Sequence, residues 1–174
     1  MKATGIVRRI DDLGRVVIPK EIRRTQMIRV GDPLEIFVSG AGEVVFKKYS
    51  PLGELSSAAA GFAEVLHKTA GLAAAVADRD RVVAAGGALR ELTDRALSSA
   101  YAQMVERRRL VTALASEGTV LCDGAPGCVN AVMPILCNGD LIGSVALATA
   151  AAPTEGELIL LRVAAAFLGR QLEE

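Results

Sequence analysis

A chain of 174 residues, 51% of them apolar, has room for one ordinary domain or two small ones and can bury a core, which excludes disorder over most of its length. No apolar run approaches the roughly 18 residues of a membrane span, no apolar segment follows Lys2 as in a signal peptide, and three cysteines, an odd number, argue against a disulfide framework, so a cytoplasmic protein free of membrane is expected. Formal net charge is zero, yet residues 1–50 hold ten Lys/Arg against six Asp/Glu and residues 51–174 ten against fourteen, and a basic head on an acidic body points to a polyanionic partner.

In chain order, Gly5 to Ile10 reads as a strand, Asp11-Asp12-Leu13-Gly14 as a turn, and Arg15 to Ile18 as a second strand stopped by Pro19. Lys20 to Thr25 has room for one or two helical turns. Leu34, Ile36 and Val38 alternate with Glu35, Phe37 and Ser39, Gly40-Ala41-Gly42 turns, and Glu43 to Lys48 returns, which is a β-hairpin. A fifty-residue β-unit of this kind buries too little surface to stand alone. An intertwined dimer would supply the missing core and close the strand edges.

Ser50-Pro51 pairs an N-cap with a proline at the first helical position. Behind it Leu52, Leu55, Ala59, Phe62, Leu66 and Thr69/Ala70 step by three and four up to Gly71. Thr154-Glu155-Gly156-Glu157 is a capping box opening a second such helix, with Leu158, Leu161, Ala165, Leu168 and Leu172 at the same spacing. Paired with the same helices of a symmetry mate, the two seams would form a four-helix bundle and a tetramer; burial inside one protomer is the alternative. Between them, Ala73 to Ala77 and Val82 to Ala85 read as strands, Ala88 to about Leu110 as a long helix, and Val129 to Leu136 and Leu141 to Ala148 as a hairpin across Asn138-Gly139. The fold class is therefore α+β. The divisions are a DNA-binding head at 1–50, a linker and dimerisation helix at 51–71, and a sensor-like domain at 72–174 with its bundle helix.

Arg8, Arg9, Arg15, Lys20, Arg23 and Arg24 crowd into seventeen residues against Asp11, Asp12 and Glu21. Arginine's planar fork grips phosphate or guanine O6/N7 in pairs of bonds. Aromatics at 3% give little platform for stacking unpaired bases, so duplex DNA is the better partner.

The run Met1-Lys2-Ala3-Thr4-Gly5-Ile6-Val7-Arg8-Arg9-Ile10-Asp11-Asp12-Leu13-Gly14-Arg15-Val16-Val17-Ile18-Pro19, with Glu21-Ile22-Arg23-Arg24 and Gly31-Asp32-Pro33-Leu34-Glu35-Ile36, resembles the AbrB/SpoVT swapped-hairpin family of bacterial transition-state regulators. Gly86-Gly87, Pro134-Ile135, Asn138-Gly139-Asp140 and Ile142-Gly143 resemble a GAF domain. The resemblance implies two chains exchanging hairpins into a β-barrel-like dimer. It implies sequence-specific, double-stranded DNA binding in sporulation through Arg8, Arg15, Arg23 and Arg24, with Lys2 and Arg9 nearby. It also implies a GAF-like domain for oligomerisation and for sensing a small molecule of unidentified kind. Gln26-Met27 departs from the family's usual leucine and small or basic residue, which bears on local packing.

Other chemistry is thinly supported. Cys122, Cys128 and Cys137 lack CxxC spacing and His67 stands alone, so no metal site or other cofactor is expected. Cys122 and Cys128 bracket a loop, which leaves a thiol-dependent sulfoxide reductase as one alternative to a non-enzymatic regulator. An antitoxin and a nonspecific architectural DNA protein are the others. Arg107-Arg108-Arg109 near a helix end reads as a solvated, dipole-favoured cluster, with a second DNA contact as its alternative.

Overall fold

A computed structural model describes residues 4–126 and 128–173 and divides the chain into two units, Met1–Tyr49 and Ser50–Glu174. In the first unit a helix α1 (Lys20–Thr25) precedes the antiparallel hairpin β1 (Leu34–Val38) and β2 (Val44–Lys48), in register from Leu34↔Lys48 to Val38↔Val44. Lys48 fastens the intervening loop: its Nζ donates to the Met27 carbonyl at 2.9 Å and lies 3.3 Å from Asp32, whose Oδ2 accepts the Arg29 amide.

The two strands expected at Gly5–Ile10 and Arg15–Ile18 are extended but carry no ladder. A strand needs a partner edge, and within the chain the only backbone bond that spans these segments runs from the Asp11 amide to the Arg15 carbonyl, at 3.0 Å. Their apolar side chains stay outside: Val7 is 84% exposed, Ile10 72% and Val17 71%. Pro19 alone among the described residues of this unit is buried.

The second unit is a five-stranded antiparallel sheet in the order β4-β3-β7-β6-β5, with β3 at Ala73–Ala77, β4 at Val82–Gly86, β5 at Val111–Thr112, β6 at Ala131–Cys137 and β7 at Asp140–Ala148. Both faces are covered, so period-2 alternation sends successive residues to opposite apolar layers. Ala74, Val76, Ile135, Val145 and Leu147 meet helices α3 (Ser56–Ala70) and α5 (Glu155–Arg170). Ala75, Val132 and Ala146 share the other layer with Leu89, Leu92, Tyr101 and Val105. Asn138 and Gly139 take positive φ, as the tight β6–β7 turn requires. The capping box at Thr154 and Glu157 forms as its spacing predicts.

Three expectations change. The stretch from Leu52 to Ala70 is a short α2 (Pro51–Glu54) and then α3, because Leu52 plunges into the core while α3 lies across the sheet. The long helix expected from Ala88 to Leu110 is a 3-10 turn at Gly87–Leu92 and α4 at Ser99–Val105. Residues between them run along β4: the Asp94 and Leu97 amides donate to the Val82 and Asp80 carbonyls, and Ser98 caps α4 by accepting the Tyr101 amide. Finally, the seam residues Leu161, Ala165 and Leu168 face the sheet of their own domain, each at most 3% exposed. The sheet's apolar face needs a cover and takes it from these helices, so the seam is not available to a second chain. The outward faces hold Val65, Ile159, Val163 and Phe167, 44–56% exposed, with the Phe62 and Phe167 rings stacked at 5.9 Å.

Small residues set the helix–sheet spacing. A Cβ on Gly86 would lie 2.5 Å from the Ala63 carbonyl oxygen of α3, while one on Gly61, on the outer side of α3, meets open space. Gly86→Ala therefore lowers unfolding free energy by about 1–3 kcal/mol through overpacking. Gly61→Ala raises it by about 0.5–1 kcal/mol by removing a flexible helical residue. Urea titration followed by circular dichroism reads both, and equal shifts would contradict this packing.

Candidate nucleic-acid interface

The turn at Asp11–Arg15 is built by one carboxylate. Asp11 Oδ1 accepts the Leu13 and Arg15 amides at 3.0 and 2.8 Å, and Oδ2 accepts Arg15 Nε at 2.8 Å. Gly14, at φ +75, supplies the left-handed residue the loop needs. The Arg15 amide, then the Arg15 guanidinium and the Leu13 amide, hold the Asp11 carboxyl below its usual range, against a small desolvation effect. Its charge is thus kept on Arg15, which orders that guanidinium on an exposed loop.

Arg8 and Arg9 stand on the extended segment before this turn, both exposed. Pro19 opens α1, and its carbonyl accepts the Arg23 amide. Arg23, half-buried, and Arg24, exposed, occupy the last turn of α1, where the helix dipole favours cations. None of Arg8, Arg9, Arg23 and Arg24 forms a side-chain hydrogen bond or ion pair with any described residue. A cation-rich unit whose guanidiniums lack internal acidic partners leaves them for an external anion. Lys2 lies outside the described residues. Gln26-Met27, where the sequence departs from the family pattern, closes α1: the Gln26 amide caps it and Met27 takes φ 51. Such a conformation is uncommon away from glycine, and the sequence carried no clear signal of it.

The second unit holds little that resembles a catalytic centre. Cys122 is buried, and burial pushes its thiol up, with Arg95 pulling it partly back and Asp123 adding to the rise. A thiolate is the reactive form, so this environment works against the reductase reading. Cys137 Sγ contacts the Leu172 carbonyl at 3.6 Å and Cys128 is half-buried. No group of three or more metal-ligating side chains occurs among the described residues. Burial also pushes the Tyr101 phenol well up, and its Oη shares a 2.8 Å hydrogen bond with Ser144 Oγ in the core. A cavity beside Met104, Val111, Thr119 and Asn130 has a volume of about 10 Å³, room for about one water. No helix among the described residues is long and apolar enough to cross a membrane.

Comparison with known proteins agrees with this division. Residues 54–173 match the family described as "Stage V sporulation protein T C-terminal, transcription factor". Residues 7–53 match "Antidote-toxin recognition MazE, bacterial antitoxin". The chain is 44% identical over 179 aligned residues to stage V sporulation protein T of Bacillus subtilis, covering 100% of both. Residues of the head are 57% identical to the solution structure of the N-terminal DNA recognition domain of the Bacillus subtilis regulator AbrB, covering 29% of this chain and 94% of that one at a TM-score of 0.26. The cofactor-binding GAF domain of the nutrient sensor CodY from Clostridium difficile aligns at 16% identity and a TM-score of 0.49, over 65% of this chain and 83% of that one. The family description is that of a transcription factor rather than an enzyme. With an AbrB/MazE-type head and a matching C-terminal domain along its whole length, the chain belongs to the stage V sporulation protein T family.

Proposed function

We propose that this protein is a cytoplasmic, sequence-specific regulator of sporulation-gene transcription that grips duplex DNA with Arg8, Arg15, Arg23 and Arg24, with Lys2 and Arg9 beside them. The observation that carries the assignment is the set of guanidiniums with no internal acidic partner, next to Arg15 held in place by Asp11. The antitoxin reading accounts for the head but leaves the matched region 54–173 without a task.

The head works as an intertwined dimer. Support comes from its unpaired extended segments and from Val7, Ile10, Val17 and Val30, all more than 70% exposed in the single chain. A unit with one buried residue cannot offset its chain entropy. A second copy supplies both the missing strand edges and an apolar cover. Two such dimers join through the outward face of α3 and α5, where Val65, Ile159, Val163 and Phe167 form a stripe spaced by four along α5. Paired heads raise effective concentration on operators with two half-sites. A small-molecule ligand of the C-terminal domain would have to open the cavity beside Asn130, and it would act only by favouring one packing of the unit over another.

Alanine at Arg8, Arg15, Arg23 or Arg24 leaves the fold intact and weakens binding by about 1–3 kcal/mol where a base is read. Where a phosphate is held, the salt slope instead falls by about one. Gel shift on duplexes selected from a random pool measures both, and normal binding by all four variants removes this surface from consideration. Val163→Glu with Phe167→Glu keeps Leu161 and Leu168 in the core, converts a tetramer to a dimer in light scattering, and weakens two-site operators by about ten- to hundred-fold. A double variant that remains tetrameric excludes this face as the joint.

A further inference from the structure

We infer that Arg107, Arg108 and Arg109 form a second DNA contact on the C-terminal domain, a sequence-independent clamp on backbone phosphates flanking the operator. The inference rests on the regulator reading above and extends it to a loop outside the head. Three consecutive arginines interrupt a unit that carries an excess of acidic residues. Elsewhere in that unit arginines are spoken for. Arg79 pairs with Glu106, Arg81 with Asp78 and Asp94, Arg162 with Glu155 and Arg170 with Glu173, while Arg95 donates to the Asp123 carbonyl. Arg107 and Arg109, both exposed, have no such bond to any described residue.

The loop is held in shape. The Arg107 and Arg108 amides turn back onto the Met104 and Val105 carbonyls at the end of α4, and Arg108 takes φ 53. Arg108 Nη1 donates to the Gly139 carbonyl at 3.0 Å, which ties the loop to the β6–β7 turn. Two residues further on, Val111 joins the sheet against Val132. The loop is thus fixed at both ends and in the middle, which leaves the flanking guanidiniums presented at low ordering cost. Of the nearby carboxylates, Glu106 is already engaged by Arg79, and Asp140 follows Gly139 on β7. The three arginines therefore keep a surplus of positive charge.

Its place in the unit selects DNA as the anion. Ser50, where the chain enters this unit from the head, donates its Oγ to Asp78 Oδ2 at 2.9 Å. The next residue, Arg79, reaches Glu106 at 3.1 Å, and Arg107 follows. The basic loop therefore sits at the end of the C-terminal unit that is joined covalently to the DNA-binding residues. Backbone phosphate gives affinity and register without sequence information.

The test is the salt dependence of binding by the full chain and by the double variant Arg107→Gln, Arg109→Gln, with Arg108 kept for its structural bond. Two duplexes are compared: a selected operator trimmed to the footprint of the head, and the same operator extended by one helical turn on each side. The expected result is a slope of log K against log salt shallower by about 1.8 on the extended duplex, about 0.9 for each phosphate released, and no change on the trimmed one. Thermal melting and light scattering match the parent, since neither side chain has an internal partner. An unchanged slope on the extended duplex, or an equal loss on both duplexes, overturns the inference. A parent that binds neither duplex overturns the regulator reading itself.

Discussion

The N-terminal unit cannot satisfy its own surface, and most of the proposed biology follows from that constraint. Among its described residues only Pro19 is buried, and two extended segments leave their backbone groups without a ladder. Water can accept those groups, but it cannot stabilise Val7, Val17 or Val30, which are at least 71% exposed. Association of two heads relieves both costs together. It also doubles the number of unpartnered guanidiniums on one body, which suits a pseudo-symmetric DNA site.

The C-terminal unit solves the opposite problem. Its sheet is apolar on both faces, so it needs two covers, and the chain provides them at no expense in partners. Alanine and glycine make the close approach possible: β3 is four-fifths alanine, and Gly86, Gly143 and Gly169 each abut a carbonyl oxygen where a Cβ would not fit. Buried polar groups are matched rather than excluded. Asn130, 3% exposed, donates to the Ala151 carbonyl and accepts the Thr149 amide, which pins the strand end that leads to α5.

Ser50 is the residue at which these two economies meet in the sequence. Its hydroxyl accepts the Gly53 amide as an N-cap and donates to Asp78, whose other oxygen accepts the Asp80 and Arg81 amides. Leu52, fully buried, lies against Gly143 one turn later. The chain leaving the head is therefore fastened to the β3–β4 turn and to the core of the second unit at once. A change of packing in that core has a short covalent route to the DNA-binding residues.

Much of this was legible in the residues themselves, because it depends on local chemistry. Ser50-Pro51, the Thr154–Glu157 capping box, Gly71 at φ 67 and the Asn138-Gly139 turn each act within four residues, and each is where its spacing placed it. The basic character of the head, carried by Arg8, Arg9, Arg15, Arg23 and Arg24, is likewise a property of composition. Tertiary structure decided what locality cannot. A three-four apolar spacing says that a helix buries a stripe, not against what, and Leu161 and Leu168 went to the domain's own sheet. The apolar run from Ala88 suited a helix, yet the free edge of β4 drew residues 94–97 into backbone bonds and split it. Asp11 looked in the sequence like a turn residue opposing the basic cluster. Only the folded turn turned that acid into the group that aims Arg15.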